Sequence, residues 1–177
     1  MSSSTVASAS GITTSWPSSF PAHKPGVGTF AVREVEASAD AVFAWVRRID
    51  QQPPFYKGMK FVRRLSGPWP QLDKGSVISF TLGATFIPMV KVIKCDPETR
   101  SFVWGGGLPG LTMAHAFTVE PISDTRSLLR SEELWVGPVA QLIAPGVRGP
   151  MQAVQTRWAE ALAAAAKAHP AGPPAHA

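Results

Sequence analysis

PMQAVQTRWAEALAAAAKA, residues 150–168, runs from its opening proline to Ala168 without a further breaker. Met151, Val154, Trp158, Leu162 and Ala165 recur at helical spacing on one stripe, while Arg157 and Glu160 lie off it. Pro150 suits a first helical position, where no backbone N–H is needed. The stretch predicts a long helix with one strongly apolar face. That face must be buried, and it needs a concave partner.

The partner is written upstream. Leu111, Met113, His115, Phe117 and Val119 alternate with a period of two, which predicts a strand with one apolar face. Further strands are predicted over 29–36, 60–65, 76–82, 84–95, 101–105 and 127–136, with Pro88 marking an edge or a bulge. Asp96-Pro97-Glu98-Thr99 is turn chemistry. Gly105 to Gly110 is expected to be a flexible hairpin turn able to gate a cavity. Between the first two strands, Ser38 stands where an N-cap belongs and Asp40 in the first turn, ahead of Val42, Phe43, Val46 and Ile49 at helical spacing. Val139 to Ala144 is expected to add one or two helical turns before Pro145-Gly146 stops them. The order is a strand, a short helix or helix pair, about six strands, then the long helix. Short turns between consecutive strands imply an antiparallel sheet. The fold class is therefore α+β, a curved antiparallel sheet of six or seven strands wrapped around the C-terminal helix.

Residues 1–26 are rich in Ser, Thr, Ala, Pro and Gly and are expected to form a disordered extension, although Trp16 and Phe20 are suited to dock on the domain or on a partner. Residues 27–168 form the domain, and 169–177 a tail. With 45% hydrophobic residues and six Trp, the domain must bury large apolar surfaces. Cys95 is the single cysteine, which excludes an intrachain disulfide and a cysteine-based zinc site. Three of the four histidines, His23, His169 and His176, fall near the termini, so neither a histidine metal site nor a cofactor is expected. No stretch is long and apolar enough to span a membrane, and residues 1–26 lack the basic start and apolar centre of a secretory signal. The default location is cytoplasmic. Organelle targeting by the Ser-rich, acid-free extension is opposed by its lack of arginine.

The chain resembles the START/polyketide-cyclase superfamily, also called SRPBCC or helix-grip proteins. Val35 to Trp45 looks like that superfamily's first strand running into its first helix, and Gly75 to Phe80 like its glycine-led strand. Val92 to Pro97 with Phe102-Val103-Trp104 resembles its central hairpin, and His115 to Pro121 with Thr125-Arg126 its late strands. The resemblance covers residues 28–168 and implies a fold with a cavity, not a reaction.

Such a cavity would be walled by Phe80, Trp104, His115, Phe117, Trp135 and Trp158, with Phe55 and Tyr56 at its mouth. The bland reading is that these rings simply fill a core. His115, on the apolar face of its strand, is the candidate general base or ligand-orienting group. Glu132 and Glu133 must point to opposite sides of their strand, so one of them enters the cavity. Glu132, with Tyr56 as phenol donor, joins His115 as a candidate catalytic group, although an ion pair with Arg130 is the plainer role for Glu132. Arg47, Arg48, Lys57, Lys60, Arg63 and Arg64 form a basic cluster suited to a solvated face or to anionic lipid. No nucleic-acid module accompanies it, so no nucleic-acid partner is expected. The leading function is therefore a carrier or sensor of a small hydrophobic molecule such as a lipid, isoprenoid or polyketide. The alternative is a cyclase, aromatase or dehydratase using these acid–base groups, and the third a co-chaperone-like interaction module. A closed and packed cavity counts against both of the first two and raises the third.

Overall fold

The computed structural model describes residues 5–6, 14–52, 55–82 and 85–174. Strands β1 (Thr5–Val6) and β2 (Thr14–Ser15) pair with each other. The domain then follows as β3 (Gly26–Val35), α1 (Ala39–Arg47), a single 3₁₀ turn over Ile49–Gln51, β4 (Met59–Ser66), β5 (Val77–Leu82), β6 (Thr85–Asp96), β7 (Ser101–Leu108), β8 (Leu111–Ser123), β9 (Arg126–Val136) and α2 (Pro138–Ala168). One antiparallel sheet takes the order β3-β9-β8-β7-β6-β5-β4. Five of its six neighbouring pairs join strands consecutive in the chain, and only the β3–β9 pairing brings together distant parts of it. α2 lies across β3, β9 and β8. This is the helix-grip arrangement that the residues imply.

Local chemistry explains the element boundaries. The Ser38 hydroxyl caps α1 by accepting from the Ala41 N–H at 3.3 Å, satisfying a donor with no intrahelical partner. The Asp96 carboxylate accepts from the Glu98 and Thr99 backbone N–H groups and from the Thr99 hydroxyl, fixing the β6–β7 turn. Ile78 pairs with Val90 and Phe80 with Ile87, so two residues of β6, one of them Pro88, oppose the single Ser79. That bulge accommodates a proline in an interior strand.

Three expectations are corrected. Gly105, Gly106 and Gly107 are strand rather than loop, and the turn is confined to Pro109-Gly110. A Cβ on each would stand 2.7 Å or less from a neighbouring strand's carbonyl oxygen, so these glycines permit close backbone approach rather than flexibility. Pro145 and Gly146 do not stop the helix. α2 is continuous through Pro145 and Pro150, whose rings lie on its exposed side, where carbonyls left without an N–H partner reach solvent. Residues 16–25, placed within a disordered extension, instead pack on the convex face of the sheet. There Trp16, Phe20 and Ala22 meet Val103, Ala114, Ala116 and Val136, so the two aromatics dock on the domain itself. Most of residues 1–13 lie outside the described residues. At the other end, the segment after α2 returns over α1: the His169 ring lies 5.9 Å from that of Trp45, and Arg48 donates to the Pro174 carbonyl. Residues 175–177 of the expected tail lie outside the description.

The main core occupies the concave side. Val42, Trp45 and Val46 of α1, Ile78 and Phe80 of β5, Phe102 and Trp104 of β7, and Trp158 and Leu162 of α2 are all buried in it.

Candidate ligand-binding interior

Register places the site residues. His115 of β8 sits directly opposite Trp104 of β7 and Glu133 of β9, so all three side chains rise from the same, helix-facing side of the sheet. Phe117 lies one step along, opposite Ser131. From above, α2 lowers Gln155 and Trp158 onto this row.

The rings form one continuous cluster. His115 stacks on Phe117 at 4.1 Å and meets Trp158 edge-on at 5.0 Å. Trp104 lies between Phe80 and Trp158, at 5.7 and 5.6 Å. Tyr56 stacks on the far side of Trp158 at 5.8 Å. The Trp158 indole N–H donates to the Gln52 side-chain oxygen at 2.7 Å, and Gln52 in turn donates to the Trp45 carbonyl, so the central ring is anchored from both ends. Phe55 stands half-buried at the edge.

The interior that the sequence reads as a cavity is therefore filled by its own aromatic walls. Among the described residues, a shallow surface recess lined by Gln52, Phe55, Tyr56, Trp158, Ala161, Leu162 and Ala165 is too narrow for a sphere the size of a water molecule. It lies where the expected mouth residues are.

Within this apolar packing sits a polar node. The His115 Nε2 atom is 2.8 Å from the Ser131 hydroxyl and 3.1 Å from the Gln155 amide nitrogen. All three residues are buried, and the Gln155 Oε1 atom has no hydrogen-bond partner on the protein. Turning the amide over exchanges the roles without removing the orphan: one polar atom of a fully buried side chain stays unpaired beside His115. Burial pushes the His115 pKa down to about 3, so its ring is neutral. Glu133 adds a carboxyl whose pKa is raised by burial, against the opposing pull of the Trp135 indole N–H, which donates to it at 2.8 Å. The Tyr56 phenol is likewise raised by burial, with the Arg157 guanidinium acting the other way and the Glu133 carboxylate reinforcing the rise.

Phe80, Trp104, His115, Phe117, Tyr56 and Trp158 are thus brought together as the sequence suggests, with Trp135 half-buried beside Glu133. Glu132 is not. It lies opposite Phe30 and Ala116 on the convex side and accepts from Arg130, the plainer of its two expected roles. Glu133 takes its place on the inner face. The basic cluster also divides. Arg47 is tied to Asp73 and the Leu72 carbonyl, and Arg48 is buried in an ion pair with Asp50. Only Lys57, Lys60, Arg63 and Arg64 remain exposed, at and just before edge strand β4. Cys95 is a half-buried strand residue whose thiol is pushed up to about 11 by burial, which disfavours the nucleophilic thiolate.

A sheet gripping one long helix over an aromatic interior defines a domain with the START, Bet v 1 and polyketide-cyclase type of fold. Solved structures bear this out. A hypothetical protein from Helicobacter pylori superposes with a TM-score of 0.70 at 17% identity, over 85% of this chain and 94% of that one. Norcoclaurine synthase from Thalictrum flavum gives 0.61 at 19% identity, over 82% and 96%. The di-domain ARO/CYC protein BexL, from the BE-7585A biosynthetic pathway, gives 0.56 at 18%, over 75% of this chain and 46% of that one. At such identities the likeness is one of fold. No family model matches the sequence, and no curated protein matches it.

Proposed function

We propose that this protein is a carrier or sensor that binds a small hydrophobic molecule bearing one polar group, such as a lipid, isoprenoid or polyketide, between β7–β9 and α2. The observation that carries this reading is the orphaned amide atom of Gln155 beside His115. Such an atom calls for a partner that the protein itself does not supply, since an unpaired buried polar atom costs about 1–3 kcal/mol. A ligand hydroxyl or carbonyl at this node would satisfy it, while the surrounding rings cover the rest of the molecule. The recess beside Tyr56 and Trp158 is the natural way in, because there the packing is already incomplete. Binding requires the Trp158 and Tyr56 rings to move aside, so the ligand must bring enough apolar surface to replace their contacts.

Catalysis is the second reading. It is favoured by the names of two structural neighbours, a synthase and an ARO/CYC protein. His115 does not favour it, because a base whose conjugate acid has a pKa near 3 has little hold on a proton at neutral pH. Tyr56 and Glu133 are the better candidates for proton donors. The filled interior favours the third reading, an interaction module that uses its surface.

Native mass spectrometry of the protein purified from its own host, followed by extraction of bound small molecules, separates the three. A near-stoichiometric hydrophobic adduct that quenches or shifts tryptophan emission supports the carrier. A protein that is empty and takes up no added hydrophobic dye overturns it and leaves the interaction module. Turnover lost in a Tyr56→Phe or Glu133→Gln variant that still binds would establish the enzyme.

A further inference from the structure

Four large hydrophobic side chains stand in solvent at one end of the sheet, the end where β4 begins, β7 turns into β8 and α2 starts. Leu142 is 81% exposed, Met89 60%, Leu108 57% and Phe61 47%. The tip of the β7–β8 turn and the start of α2 are joined there, since the Val139 N–H donates to the Gly110 carbonyl. Leu108 and Leu142 therefore project from one continuous rim. The helix segment behind them, residues 138–150, is largely exposed and carries a single charge, Arg148.

Exposed acids among the described residues keep away from this rim. Residues 51–95, which supply β4, β5 and all but the last residue of β6, carry seven Lys and Arg against one acid, Asp73. That acid is tied to Arg47. Lys57 and Lys60 lie exposed at the start of β4, on the apolar rim. Asp96, Glu98, Glu120 and Asp124 sit at the opposite end of the sheet, around the β6–β7 and β8–β9 turns, where Arg100 and Arg126 also lie.

We propose that this rim docks on an anionic lipid bilayer, with Leu142 and Leu108 entering the acyl boundary and Lys57, Lys60 and Arg148 meeting the phosphates. The apolar groups stand on separate projections, a helix, a hairpin and an edge strand. Such an arrangement fits a deformable plane better than the shaped groove of a protein partner. Long cationic side chains around apolar inserts, with no exposed acid on the rim among the described residues, are what a negatively charged headgroup layer attracts. The proposal goes beyond the carrier reading and does not depend on it, because docking needs no ligand.

The test is vesicle flotation with the full chain. Vesicles of phosphatidylcholine containing about a quarter phosphatidylglycerol should carry the protein at low ionic strength, and pure phosphatidylcholine should not. Leu142→Asp should lower partitioning about tenfold, and Lys57→Glu combined with Lys60→Glu should do so by at least as much. Ile122→Asp adds the same charge at an exposed apolar site on the opposite end and should leave partitioning unchanged. Leu142 is too exposed for its loss to threaten folding, which a thermal melt verifies. Equal partitioning of Leu142→Asp and Ile122→Asp, or absence of the parent from anionic vesicles, overturns the proposal.

Discussion

Gln155 is the residue at which stability and function part company. Its side chain is fully buried with one amide atom unpaired, so replacing it by a leucine of similar size should remove a cost larger than the single hydrogen bond to His115 lost with it. Gln155→Leu is expected to raise the unfolding free energy by about 1–2 kcal/mol while weakening retention of any bound polar ligand. Denaturant titration beside ligand extraction reads both, and a destabilised variant would show that the amide is satisfied. His115 gives a second prediction. Its folded pKa of about 3 lies below the value near 6.5 of an unfolded histidine. Between those values the unfolded chain binds a proton that the folded chain refuses, so stability is full above about pH 6.5 and falls as pH drops toward 3. His115→Gln should flatten that part of the stability–pH curve, and an unchanged slope would place the titration elsewhere. His115 was legible from strand alternation alone. Glu133 was not: alternation requires that one of Glu132 and Glu133 face inward, but which one depends on the register with β8, and register is a property of paired strands.

At the scale of elements, the capped helix α1, the strand order and the apolar stripe of α2 follow from local rules, so the sequence shows them. α2 begins twelve residues before Pro150, at Pro138, because an interior proline costs a helix only what its orphaned carbonyl and ring contacts cost, and both are small on an exposed face. The glycines of β7 mislead for the opposite reason: their role is to let other backbones approach, which no property of the segment itself displays. The exposed half of α2 offers a direct test. A Cβ on Gly146 or Gly149 meets nothing within 4 Å, and both residues have ordinary helical backbone. Gly146→Ala and Gly149→Ala should each stabilise by about 0.5–1 kcal/mol, acting largely through the unfolded chain. Thermal melts of the single and double variants check this, and a loss of stability would mean that this half of the helix is not formed in solution. Gly137 is the contrasting position. With φ of 110° and a would-be Cβ 2.6 Å from the Gly110 carbonyl oxygen, it is where the chain turns from β9 into α2, and alanine there should be strongly destabilising.

The whole molecule is a sheet covered on both faces by segments from its two ends: α2 on the concave side, and residues 16–25 on part of the convex side. Trp16 is 1% exposed, meets the tilted Phe20 ring at 5.0 Å, and rests on Val103, Ala114 and Ala116, the residues immediately beside Trp104, His115 and Phe117 on the other face. The two layers are thus separated only by the thickness of β7 and β8. Composition marks this segment as unfit for a core because half of its residues are Ser or Pro. Two aromatic anchors suffice, since each buries a large apolar area at low entropic cost. Trp16→Ala should therefore cost about 3 kcal/mol of stability, the usual toll of emptying a buried aromatic site. It should leave ligand retention intact, because no inner-face side chain is touched. Urea unfolding combined with ligand extraction tests both halves of the prediction. An unchanged midpoint would mean that the segment does not hold the convex face in solution. A lost ligand with an unchanged midpoint would mean that Trp16 reaches the inner face through the sheet's backbone, coupling the N-terminal segment to the site.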